Sequence, residues 1–81
     1  KVTWINNRNV EVWVASNNHP THTIYPGSGI AKCNTADKNK IFDSCTRFAH
    51  GVKWSFTFNE KGSWNYHNHL SSSMTGTVIV K

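Results

Sequence analysis

The sequence predicts a small all-β domain, a β-sandwich or barrel. Three observations carry this. The 81-residue chain is rich in Val, Thr, Trp, Phe and Asn and poor in Leu, Glu and Ala, a balance that favours strands over helices. Apolar and polar residues alternate with the period of a strand in several short runs. Turn-forming residues separate those runs, and no amphipathic helix of useful length or internal repeat is visible. The length allows one domain, covering residues 1–81. A core of this size is marginal and calls for a staple such as a disulfide or a metal.

The elements follow in order. "KVTWINN" sets Val2 and Trp4 against Thr3 and Ile5, then meets the turn pair Asn6-Asn7. "VEVWVAS" predicts a second strand over Val10 to Ser16. From Asn17 to about Ser44 the chain reads as a long loop, with Pro20, Pro26, Gly27 and Gly29. Such a loop is uncommon unless it is functional or tied down. "HGVKWSFTFNEKGSWNY" predicts a hairpin. Trp54, Phe56 and Phe58 share one face of its first strand, and Lys53, Ser55 and Thr57 share the other. Asn59 to Gly62 supply the turn, and Trp64 and Tyr66 mark one face of the return strand, opposite Asn65 and His67. "TGTVIVK" predicts the last strand.

Charge excludes one broad class. Nine Lys and Arg face four carboxylates, for a net charge of +5. The basic residues are scattered rather than gathered on a stripe or helix, so no nucleic-acid partner is expected. They form a solvated surface suited to an anionic partner or matrix. No stretch is apolar and long enough to span a membrane. No signal peptide is visible, as in a mature processed chain or an excised fragment. The two cysteines, Cys33 and Cys45, lie outside any C-x-x-C pair, which excludes a zinc ribbon or thioredoxin motif. One disulfide closing a polar loop is expected, worth about 3 kcal/mol in the chain-entropy model. It implies an oxidising compartment, extracellular or periplasmic.

The chemistry concentrates in the histidines. His67 and His69 stand two positions apart in "SWNYHNHL", so an extended backbone sends both rings to one side. His19 and His22 stand three apart in "NNHPTHTIYP", with Pro20 between them. Either pair alone is weak evidence; together they predict a four-nitrogen metal site. Affinity of such a site peaks at Cu²⁺, with a tetrahedral Zn²⁺ site as the alternative. Binding requires neutral imidazoles, so affinity should fall as pH drops through about 6.5. His50 reads as an ordinary loop residue. Asp37, Asp43, Glu11 and Glu60 lie in loop or strand contexts without a pairing motif, so no general base stands out and no catalytic residue is expected.

The closing stretch "FTFNEKGSWNYHNHLSSSMTGTVIV" resembles the cupredoxin family, plastocyanin- and azurin-like copper domains. Members close with "G-[TS]-aromatic-x-aromatic", a ligand loop, then "M-x-G-x-[VI]-x-V". Gly62, Ser63, Trp64 and Tyr66, then Met74, Gly76, Val78 and Val80, fit that frame. "VTWINN" and "IFDS…GVKWSFTF" look like earlier family segments, so the resemblance spans nearly the whole chain. It implies a Greek-key β-sandwich holding copper at one end through loops. "YHNH" is also similar to the H-x-H pairs of multicopper oxidases, although one chain of this length cannot supply a trinuclear centre.

The chain departs from the family pattern at the ligands. The family's first His falls about where Val12 stands, and the window for its Cys holds Tyr66, His67 and Asn68. Without a copper–thiolate bond there is no intense blue colour. His69 and Met74 keep the family's His-x4-Met spacing, so the resemblance makes His69 the best ligand and Met74 an axial ligand or neighbour. His67 takes over from the Cys, and His19 and His22 from the upstream His. The family's first strands, ahead of "VTW", are lacking here, which leaves an open edge prone to self-association. Two functions are expected, ahead of a third, a copper enzyme using an open position on the ion. One is a non-blue copper protein for carriage, storage or electron transfer, meeting a redox or copper-delivery partner. The other is an assembly module in which metal is only structural.

Overall fold

Strand-like alternation becomes strand wherever one face can reach the aromatic core. In the computed structural model, which describes all residues from Lys1 to Lys81, five strands form: β1 (Val2–Ile5), β2 (Val14–Ser16), β3 (Lys53–Phe56), β4 (Gly62–Asn68) and β5 (Ser71–Val80). They make two antiparallel sheets, β1-β3 and β2-β4-β5. The domain is all-β, a small sandwich of two layers; its only helical turns are short 3-10 segments at Ile30–Asn34 and Lys38–Lys40.

Phe42 sits at the centre, fully buried. The rings of Trp4, Phe56, Phe58 and Tyr66 lie 5.5, 5.5, 4.8 and 5.9 Å from it, centroid to centroid. Val14, Tyr25 and Phe48 complete the buried cluster, and Trp54 and Trp64 pack against it. Edge-to-face and offset pairs of this kind add to the burial of their area. Strand alternation has the faces as expected: Trp54 and Phe56 turn inward while Lys53 and Ser55 are exposed.

The pairing of those faces differs from the expected hairpin. β3 pairs with β1, through Val2↔Phe56 and Trp4↔Trp54, whereas β4 pairs with β2 and β5. The segment Thr57–Lys61 therefore crosses between layers. A hairpin would place Trp54, Phe56, Phe58, Trp64 and Tyr66 on one sheet with little opposite them. The crossing sets them face to face, which is how a sandwich buries its apolar sides. The Tyr25 hydroxyl pins the crossing by accepting from the Asn59 and Glu60 amides at 3.0 and 3.2 Å.

Two strand boundaries also move. β2 covers only Val14–Ser16 of the expected Val10–Ser16, with Val12 reduced to a bridge to Phe48. β5 begins at Ser71, before "TGTVIVK", so the stretch after His69 is strand rather than a wide loop. Only His69 and Leu70 turn the chain between β4 and β5. The register slips at His67/Asn68, from His67↔Thr75 to Asn68↔Ser71. Gly76 has a clear role in this hairpin: the Tyr66 ring lies over it, in space that a Cβ would occupy.

The long loop is tied down. The Cys33–Cys45 disulfide closes it, with Cα atoms 5.4 Å apart, a normal span. The Tyr25 amide donates to Ser16 Oγ, the Phe42 amide donates to Ser28 Oγ, and Ala15 bridges Asp43. No helix is long and apolar enough to cross a membrane.

Candidate metal centre

The loop leaves β2 at Ser16 and folds back over the polar face of β4. The Asn17 amide donates to the Asn65 carbonyl at 3.1 Å. This carries His19 and His22 over His67 and His69. The peptide bonds Asn17–Asn18 and His19–Pro20 are cis, and His22 takes the left-handed conformation at φ 62°. The left-handed conformation is uncommon for a residue other than glycine. Here it accompanies a His22 side chain with no solvent exposure.

All four rings converge. One ligand atom from each of His19, His22, His67 and His69 lies within 4.8 Å of every other. An ion held at about 2.0–2.1 Å by imidazole nitrogens sets those nitrogens roughly 3 to 4 Å apart. The group is thus close to a coordination sphere, and it could hold a metal ion. His22 and His67 are buried, His69 half-buried, and His19 exposed at the mouth.

The hydrogen bonds choose which nitrogens are free. His22 Nδ1 donates to Asp43 Oδ2 at 2.6 Å, which leaves Nε2 as its lone-pair atom. His67 Nδ1 donates to Asn17 Oδ1 at 2.9 Å. Its Nε2 is buried with no hydrogen-bond partner. A buried polar atom without a partner costs free energy and calls for an explanation; a metal ligand is one. His69 Nδ1 faces His22 Nε2 at 3.0 Å. In the metal-free protein His69 Nδ1 donates there; ligation through Nδ1 requires the proton to sit on Nε2 instead. The Trp13 indole lies 4.7 Å from the His69 ring, centroid to centroid, and its Nε1 donates to Asp43 Oδ1 at 2.7 Å.

Electrostatics favour the neutral ring at His67 and His69. Burial, reinforced by neighbouring His22, His19 and His69, lowers the pKa of His67 from 6.5 to about 4. Burial, then His22 and His19, lower that of His69 as well. His67 therefore stays in the metal-binding form well below the pH of 6.5 at which the sequence places proton competition.

The remaining candidates have contacts of their own. His50 Nδ1 donates to the Arg8 carbonyl at 3.0 Å, as an ordinary loop residue does. Met74 Sδ accepts from Asn68 Nδ2 at 3.8 Å. Cys33, Cys45 and an Asp43 oxygen also lie within 4.8 Å of one another, but both sulfurs are spent in the disulfide.

Asp43 is the residue that sequence reasoning missed. It is buried and bonded to a histidine, rather than an unpaired loop carboxylate. Nothing local marks it. The only usable signal is its apolar context in "IFDS", where a carboxylate beside Ile41 and Phe42 must find partners if buried.

Comparison of the chain with protein-family models, with curated proteins and with solved structures finds no match. The chemistry of the site rests on its own atoms. The disulfide is in keeping with an oxidising compartment.

Proposed function

We propose that this domain is a secreted or periplasmic copper-binding protein with a non-blue, four-histidine site. The observation that carries the reading is the convergence of four imidazoles, with His67 Nε2 buried and unpartnered among them. His19 Nδ1 or Nε2, His22 Nε2, His67 Nε2 and His69 Nδ1 would hold the ion. Affinity of an all-nitrogen site peaks at Cu²⁺, and no thiolate is at hand to favour Cu⁺. Carriage or storage of Cu²⁺ therefore suits the ligand set better than fast electron transfer. Zn²⁺ is the competing occupant. Met74 is a neighbour rather than a needed ligand, since its sulfur faces Asn68. The cupredoxin resemblance supports the same reading, because it puts His69 and Met74 in the family's ligand segment.

Titration of the metal-free protein with Cu²⁺, followed by visible and EPR spectra, tests this. The expected outcome is one equivalent bound, weak d–d absorption and nitrogen hyperfine structure, all lost in both His67→Ala and His22→Ala. An intense charge-transfer band would instead show a thiolate ligand and an open disulfide.

One observation favours a second reading, assembly through an open edge. β1 and β5 are edge strands of different sheets and do not pair. A cavity of about 260 Å³ opens beside them, lined by Trp4, Ile5, Val12, Phe48, Tyr66 and Met74 among others. Unpaired edges beside apolar surface invite strand addition. On this reading the metal-free chain sediments as a dimer or larger at micromolar concentration; a monomer excludes it.

A further inference from the structure

Asp43 is the only carboxylate in contact with the histidine cluster, and it is 2% exposed. Its two oxygens divide their work. Oδ2 accepts from His22 Nδ1 at 2.6 Å. Oδ1 accepts from Trp13 Nε1 at 2.7 Å and from the Cys45 amide at 2.8 Å. We propose that Asp43 is a positioning residue, which fixes His22 in the tautomer that presents Nε2 to the metal and seats Trp13 against His69. The inference rests on the four-histidine metal reading and adds to it a residue that touches no ion.

The argument is one of donors and acceptors. An ionised carboxylate only accepts, so His22 Nδ1 must carry the proton and Nε2 must carry the lone pair. Nε2 points at His69 Nδ1, 3.0 Å away, inside the cluster. The same carboxylate reaches a second ligand indirectly. By holding the indole N–H it fixes the ring that lies against His69. Its third bond, from Cys45, ties it to the disulfide, in a residue that itself adopts φ 59°. Carboxylate–histidine pairs of this kind orient metal ligands and raise their basicity.

Asp43→Asn separates positioning from bulk structure, since it preserves shape. The Trp13 and Cys45 donors require the amide oxygen at the Oδ1 place. The amide NH₂ then faces His22 Nδ1, which must accept. The ring proton moves to Nε2, and Nε2 can no longer ligate. Long-range ¹H–¹⁵N NMR of the metal-free protein at neutral pH reads the tautomer directly. The wild type should show His22 protonated at Nδ1, and Asp43→Asn should show it protonated at Nε2. Cu²⁺ titration should then show an affinity about 10- to 100-fold lower in Asp43→Asn, with one fewer nitrogen in the EPR hyperfine pattern. A wild-type His22 protonated at Nε2 overturns the proposal without recourse to any variant. So does an Asp43→Asn protein that binds Cu²⁺ with unchanged affinity and nitrogen count. If neither protein binds Cu²⁺ yet the tautomer inverts, the metal reading falls while the control of His22 by Asp43 stands.

Discussion

Tyr66 and His67 are neighbours on β4, yet they belong to two regions built on different principles. Tyr66 faces the aromatic core, over Gly76 and 5.9 Å from Phe42. His67 faces the other way, under the loop that carries His19 and His22. The core is held by packed area, where several rings share each contact. The histidine site is held by directional bonds, where Asn17, Asp43 and Trp13 each have a separate task. The difference teaches where each region is fragile. A core tolerates rearrangement of shape but not loss of volume. A polar cluster tolerates neither a lost partner nor a misplaced proton.

The largest expected effect lies on the core side. Phe42→Ala removes the ring at the centre of both layers and should cost about 3–5 kcal/mol. A urea melt of the disulfide-intact protein measures it. A loss below about 1 kcal/mol would mean that the two sheets do not share one core.

Acid should act on the site side. The pKa of His67 is lowered in the folded state from 6.5 to about 4, so between those values the unfolded chain binds the extra proton. Stability of the metal-free protein should therefore fall as pH drops from about 6.5 to about 4, and this contribution is level outside that window. At about 1.4 kcal/mol per pKa unit the loss is on the order of 3 kcal/mol at most. His67→Gln removes the titrating group and should flatten the pH profile of the melting midpoint. An unchanged slope in that variant would assign the acid sensitivity elsewhere.

Gly76→Ala is the smaller core-side test. The added methyl meets the Tyr66 ring, which must tilt away, at a cost of about 1–3 kcal/mol. Cu²⁺ affinity should hold, because His67 projects from the opposite face of β4. A parallel loss of Cu²⁺ binding would show that the two faces of the strand are mechanically coupled.

What the sequence revealed divides along the same line. The inward faces of β1, β3 and β4 were legible, because burial imposes a period of two on Trp4, Trp54, Phe56, Trp64 and Tyr66. The four clustered histidines were legible as close pairs. Strand partners were not. Alternation tells which way a side chain points but not which strand lies beside it, so a crossing between sheets at Thr57–Lys61 reads like a hairpin. Asp43 was hidden for a related reason. Its partners Trp13 and His22 lie 30 and 21 positions away, and only the folded chain brings them together.

The disulfide decides what a proteolytic nick in the loop would do. Residues 34–40 are all exposed, and they lie inside the ring closed by Cys33 and Cys45. An exposed loop tip of this kind is the preferred place for a nick. A cut there breaks the backbone but leaves the disulfide bond in place. The two pieces stay covalently joined, one bearing His19 and His22, the other bearing Asp43, His67 and His69.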